Sequence, residues 1–233
     1  MGPHSSPPRS YGTNPARVQR FAAWLLLASL CALLPAAGAR GAERPVKVVV
    51  LGDSLSAGLG LPAPAAFPAR LAEALAAKGI AATFINAGVS GDTASGGLGR
   101  LDWSVPDGTD AVIVELGAND ALRGLDPGVT KGALDTILRK LVDRHIVVLL
   151  AGMRAPRNMG PDYARDFDGI YPALASTHSV VFYPFFLEGV AADPKLNQGD
   201  GLHPNAAGVD AIVARILPKV EELIGRARAA RGS

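Results

Sequence analysis

The chain predicts an α/β fold: a three-layer α/β/α domain around a five-stranded, parallel, doubly wound, flavodoxin-like sheet. Three observations carry this. Five short apolar runs alternate with segments of helical periodicity from residue 46 onward. The runs are continuous in aliphatic residues rather than alternating, as expected of strands covered on both faces. Parallel strands also need crossovers, which the helical segments between the runs supply.

Each element has its own signal. Val46–Leu51 is β-branched and bounded by Pro45 and Gly52, so it reads as the first strand. Phe67–Lys78 places Leu71 and Leu75 at helical spacing, with Gly79 as the stop. Ala81–Asn86 is a second strand, followed by the glycine-rich stretch AGVSGDTASGG, and Ala111–Leu116 is a third, ending at Gly117. Asp126 is an N-cap with Pro127 at the first helical position, opening a helix that reaches Arg144. His145–Ala151 is the fourth strand, Tyr163–Ser176 a helix, Ser179–Tyr183 the fifth strand and Ala206–Ile224 the closing helix.

Residues 1–39 read as an extension carrying a secretory signal, and residues 40–233 as the single domain. Arg17 and Arg20 form a basic edge, Phe21–Leu34 is an apolar run, and Ala37-Gly38-Ala39 offers small residues for cleavage after Ala39. A helix over that run spans only about 21 Å, short of the ~30 Å hydrocarbon core, so a retained membrane anchor is the lesser reading. Export to the periplasm or medium is expected, with no stable membrane anchor after cleavage.

The charge balance bears on partners. The whole chain carries a net charge of +2, but Arg9, Arg17 and Arg20 lie in the leader, which holds no acid. The remainder has 20 basic against 21 acidic residues, counted from the same sequence. A near-neutral domain of this kind has no electrostatic footprint for nucleic acid. Cys31 is the single cysteine and also lies in the leader, so the domain has neither a disulfide nor a thiolate nucleophile. A monomer is expected.

In doubly wound folds ligands bind beyond the carboxyl ends of the strands. Four stretches fall there: Gly52–Ser54, Ala87–Thr93, Gly117–Asp120 and Ala151–Asn158. Ser54 is either a helix cap or a nucleophile, and a serine nucleophile needs an adjacent base. Gly91 is either a conformational glycine or a backbone donor to a substrate oxygen. Asn119 is either an Asx-turn residue or an amide donor; removing one donor to a developing oxyanion typically costs ~10²–10³ in rate. A fifth stretch, NQGDGLHPN, sets Asp200 three residues before His203, close enough for the carboxylate to fix the imidazole tautomer. His4, His145 and His178 show no ligand spacing to this pair, so no metal site is expected. Nucleotide signatures are missing too: the chain has no G-x-x-x-x-G-K-[ST] and no complete G-x-G-x-x-G at the first turn.

Together these stretches resemble the SGNH hydrolase superfamily, the GDSL esterases and lipases. GDSLSAGLGL is similar to its first block, GVSGDT to its second, GAND to its third and DGLHPN to its last. Within the superfamily the bacterial arylesterase, thioesterase I and lysophospholipase group is most similar, through VELGANDALRG, MRAPRNMGPDYARDFDGIYPALA and YPFFLEGVA. Ala118 stands where glycine is commoner, and Leu202 where isoleucine is.

The resemblance implies acyl transfer to water without a cofactor. Ser54 is the expected nucleophile, with Asp200 and His203 as its acid–base pair. Ser54, Gly91 and Asn119 are the expected oxyanion hole. Asp53, Leu55, Ala118, Asp120, Arg154 and Pro156, beside these motifs, are expected to contact substrate, a small acyl ester, thioester or lysophospholipid. The segment Met153–Asp162 is either a lip over the acyl groove or a plain loop, with Arg154 and Arg157 near an anionic head group. Two other readings stand beside this one: a carbohydrate O-deacetylase of the same superfamily, and a non-catalytic binding protein on the same scaffold.

Overall fold

The computed structural model describes residues 1, 2, 6 and 44–231. The predicted signal segment and its cleavage point after Ala39 lie outside the described residues. The chain divides into two units, Met1–Glu43 and Arg44–Ser233, and the second carries all the elements below. Among the described residues no helix is long and apolar enough to cross a membrane.

Five strands run parallel: β1 (Val46–Gly52), β2 (Ala82–Gly88), β3 (Ala111–Glu115), β4 (Val147–Ala151) and β5 (Val181–Tyr183). Their order, β2-β1-β3-β4-β5, is that of the doubly wound, flavodoxin-like sheet predicted from sequence. The helices are α1 (Ser54–Ala57), α2 (Phe67–Ala77), α3 (Ala94–Gly99), α4 (Leu101–Ser104) and α5 (Ala118–Leu122). They continue with α6 (Pro127–Asp143), α7 (Pro161–Asp168), α8 (Ile170–His178) and α9 (Ala206–Arg231). α2 packs with α9 in one outer layer, and α6 packs with α3 and α8 in the other.

The core follows the apolar runs. β1 is buried along almost its whole length and β3 along all of it, because each has a strand on either side. β2 departs from the sequence reading: it is an edge strand, none of its residues is fully buried, and Ile85 is exposed. The predicted helix Tyr163–Ser176 is two helices, α7 and α8, broken at Gly169. Pro172 has no N–H to return to Asp168, and glycine is a poor helix former, so the hydrogen-bond ladder lapses there. The closing helix runs on past Ile224, with Ala227 buried. Near its end Arg231 donates to the carbonyls of Arg44 (2.9 Å) and Pro45 (3.0 Å) and pairs with Asp110.

Candidate active site

Ser54 begins a helix of one turn. Such a short helix has no cooperative reserve of its own and must be held by its surroundings. Asp53 caps it, its Oδ1 accepting the N–H of Leu55 at 3.0 Å, and Gly58 closes it in a left-handed conformation. The Ser54 N–H is the first of the helix and has no intrahelical acceptor. Beneath this turn, Gly52 lies directly across the ladder from Glu115. A Cβ on Gly52 would collide with Ser56 Oγ and Glu115 Oε2, so the strand ends on glycine for want of space.

Across the site, the segment after β5 presents the histidine. Ser54 Oγ is 2.9 Å from His203 Nε2, and His203 Nδ1 is 2.5 Å from Asp200 Oδ2. The other Asp200 oxygen accepts the N–H groups of Leu202 (2.9 Å) and His203 (3.0 Å). The His203 N–H, the His203 side chain and the Leu202 N–H together hold the Asp200 carboxyl well below the usual carboxylate range. It therefore stays ionised when its ordinary counterpart would protonate. Gln198 seats the loop: its N–H donates to the His203 carbonyl at 2.7 Å, and its side-chain amide to Leu59 O at 2.7 Å.

Asn119 stands at the start of α5, at the cavity wall. Its amide donates to Asp53 Oδ2 at 3.0 Å and to the carbonyl of Asp92 at 2.9 Å. The second bond ties the glycine loop after β2 to the end of β3. Gly91 lies in that loop at φ +85°, a conformation glycine adopts without the penalty a side chain would bring. Its carbonyl accepts from Arg123, and its N–H has no partner among the described residues. Gly91 does not line the cavity that holds Ser54, Asn119 and His203.

Two of the expected substrate contacts are corrected by burial. Asp53 and Asp120 are both 0% exposed and do not line the cavity that holds Ser54. Asp120 is a clamp, accepting Ala94 N–H at 2.9 Å and Thr130 Oγ1 at 3.0 Å. Asp53 caps α1 and holds Asn119; burial, the largest influence, pushes its carboxyl up to about 6. Leu55, Ala118, Arg154 and Pro156 do line the cavity.

Two buried groups escaped the sequence reading. Glu115, wholly buried at the end of β3, accepts Ser56 Oγ at 2.5 Å. Burial first, and the charge of Asp53 second, push its carboxyl well above the ordinary range. Arg100 joins the ends of two strands and the glycine loop, donating to Gly52 O (2.8 Å), Ala87 O (2.7 Å) and Asp92 Oδ2 (2.5 Å). A charge inside AVIVEL was the available signal for Glu115, since ionisable residues are rare in buried strands. Arg100 left none.

The cavity beside Ser54 measures about 600 Å³. Leu55, Leu122, Met153, Phe185, Leu187 and Leu202 give it an apolar wall, and Arg154 and Arg157 stand among its lining. The Arg154 guanidinium lies over the Phe185 ring, 4.8 Å from its centroid. Among the described residues no group of histidines, cysteines and carboxylates is arranged to hold a metal ion.

A doubly wound sheet with a hydrogen-bonded row of serine, histidine and carboxylate beyond its strand ends is an arrangement found in hydrolases. This chain belongs to the GDSL-like lipase/acylhydrolase family, whose model matches residues 50–211. It is 43% identical over 159 residues to an arylesterase of Vibrio mimicus, a match covering 68% of this chain and 80% of the relative. It is 42% identical to thioesterase 1/protease 1/lysophospholipase L1 of Escherichia coli (strain K12), covering 68% of this chain and 75% of that one. The crystal structure of TesA superposes with a TM-score of 0.73 at 36% identity, over 76% of this chain and 99% of the other. The protein is an enzyme, a hydrolase of the esterase type.

Proposed function

We propose that the chain is an exported serine esterase that works through an acyl-enzyme on Ser54. The observation that carries this is the hydrogen-bonded row Ser54 Oγ to His203 Nε2 (2.9 Å) and His203 Nδ1 to Asp200 Oδ2 (2.5 Å), at the wall of an apolar cavity. Asp200 orients His203, which takes the proton of Ser54 as the hydroxyl attacks the acyl carbonyl. His203 then delivers that proton to the leaving alkoxide or thiolate, and water releases the acid by the same path. The unengaged N–H groups of Ser54 and Gly91 are donors for the developing oxyanion. Asn119 joins them by turning one amide proton from Asp92 O or Asp53 Oδ2 toward it. Asp53, an acceptor to that amide, sets the direction from which it turns.

The cavity wall favours an acyl chain over a sugar, because Leu55, Leu122, Met153 and Phe185 offer no partners for a diol. Small acyl esters and thioesters are the proposed substrates, lysophospholipids among them. The protein acts as a monomer without a cofactor, a nucleic-acid partner or a lasting membrane anchor. Its domain begins near residue 40, after a cleaved leader that directs it to the periplasm or medium. The test is hydrolysis of p-nitrophenyl esters from acetate to palmitate by residues 40–233 and by Ser54→Ala. The expected outcome is turnover that falls by at least ~10⁴-fold in Ser54→Ala. Folded protein that turns over no ester in the series would refute the reading.

A further inference from the structure

Glu115 is a carboxyl in a place that costs free energy to occupy. It is 0% exposed, and its Oε1 has no hydrogen-bond partner among the described residues. Leaving a buried polar atom unpaired typically costs ~1–3 kcal/mol, so such an atom calls for an account. Its other oxygen explains the placement. Oε2 accepts the Ser56 hydroxyl at 2.5 Å and, at a longer 3.4 Å, the N–H of Asp53. These two residues flank Ser54 on either side in sequence. Gly52 supplies the room, since it pairs with Glu115 in the ladder and a side chain there would occupy the space of this contact.

We propose that Glu115 is a positioning residue for the nucleophile: it braces the one-turn helix from beneath and so keeps Ser54 Oγ aimed at His203. The inference rests on the reading of Ser54 as the nucleophile. α1 is tied near Ser54 by the Asp53 cap on Leu55, the left-handed closure at Gly58, the bond from Ser56 to Glu115 and a longer bond, 3.4 Å, from the Asn86 amide to the Ala57 carbonyl. Two of these reach another strand: Asn86 on β2 holds the last residue of the turn, and the shorter bond to Glu115 on β3 holds the turn two residues from Ser54. Without Glu115 the turn keeps its local bonds and the tie at Ala57 but loses both bonds to β3, at Ser56 and at the Asp53 N–H, while His203 stays where its own loop holds it. Glu115 lines no part of the cavity, so its loss reaches the reaction through the placement of Ser54 and leaves the substrate wall intact.

The experiment measures kcat, KM and thermal unfolding for Ser54→Ala, Glu115→Ala, Glu115→Gln and Ser56→Ala on one p-nitrophenyl ester. Misplacing a reacting group by about 1 Å costs about 10²-fold, and Glu115→Ala is expected to lose kcat on that scale. Its KM is expected to stay within about threefold of the unaltered enzyme, because uniform binding is untouched. Glu115→Gln keeps an oxygen for Ser56 and is expected to recover kcat to within about tenfold, whereas a role of the charge itself would leave it as impaired as alanine. Ser56→Ala is expected to act in the same direction, and the double variant to add little, since the two residues share one bond.

The proposal is overturned if folded Glu115→Ala and Ser56→Ala keep kcat within about threefold, or if Gln and Ala are equally impaired at position 115. If Glu115→Ala does not fold, Ser56→Ala decides by the same criterion. Activity surviving in Ser54→Ala would instead sink the nucleophile reading. An inactive Ser54→Ala beside a normal Glu115→Ala would sink the brace alone.

Discussion

The two halves of the site are built differently. On one side, Ser54 sits in a buried turn whose surroundings come from far away in sequence: Glu115 on β3, Asn119 on α5 and Arg100 before α4. On the other side, Asp200 and His203 sit in a partly exposed loop whose bonds are mainly local. Asp200 is bonded within the stretch 200–203, and just outside it Gln198 bonds to the carbonyl of Pro204 and Asn205 to that of Asn197. The side chain of Asp200 is 45% exposed, whereas Asp53 and Glu115 are fully enclosed. A nucleophile held by tertiary burial thus faces a base held by its own neighbours, and Gln198 reaching Leu59 links the two.

The largest expected effect tests the local side. Asp200→Asn keeps one oxygen for the Leu202 and His203 N–H groups but no longer accepts from the imidazole as a carboxylate. A comparable change in a serine-histidine-aspartate site costs ~10⁴ in kcat, and a loss on that order is expected here. Thermal stability should be almost unchanged because the residue is so exposed; an equal loss of stability would show that the loop is not self-supporting. Second, Asn119→Ala removes a proposed oxyanion donor and is expected to lower kcat by ~10²–10³ with KM nearly constant. A rise in KM alone would place Asn119 in ground-state binding.

Third, Gly52→Ala puts a methyl into the space shared by Ser56 and Glu115. Overpacking of this kind costs typically ~1–3 kcal/mol, measurable by urea unfolding, and activity should fall with it. An unperturbed Gly52→Ala would mean that the buried side is looser than its contacts imply. The smallest effect is a pH dependence of stability. Asp53 and Glu115 both have folded-state values raised by burial, so the folded protein binds these protons more tightly than the unfolded chain. Their contribution is therefore greatest in acid and declines as pH rises from about 4 through about 6, the span over which Asp53 ionises. Asp53→Asn should flatten that slope in urea titrations at several pH values, while Asp200→Asn should not. Asp200, with its lowered value, acts in the opposite sense in stronger acid, and solvent screening at this exposed position keeps its contribution to stability small.

The same contrast explains what could be read from sequence. Asp200 and His203 were legible because their partnership is local: three residues of spacing and an intervening glycine already bring carboxylate and ring together. The strands were legible because continuous aliphatic runs report burial directly, and Asp126-Pro127 marked the start of α6 where the cap bonds Gly128. Asp53 and Asp120, by contrast, lie beside motif residues and were expected to touch substrate. Only the packing reveals that both face inward and spend their oxygens on Leu55, Asn119, Ala94 and Thr130. Arg100 was invisible for the same reason, since two of its acceptors are backbone carbonyls of β1 and β2 that no local pattern brings near it. The break at Gly169 was missed because the apolar spacing runs on through it.

Ser54 and His203 are separated by 149 positions along the chain and meet only after every strand has been laid down. Bringing together contacts so distant in sequence costs loop-closure entropy, which slows folding. Ester turnover therefore reports the moment at which the two ends of the domain have come together. In a refolding jump, catalysis should return no sooner than the slowest spectroscopic signal, and a chain still emerging during synthesis stays chemically silent until its final helix has docked.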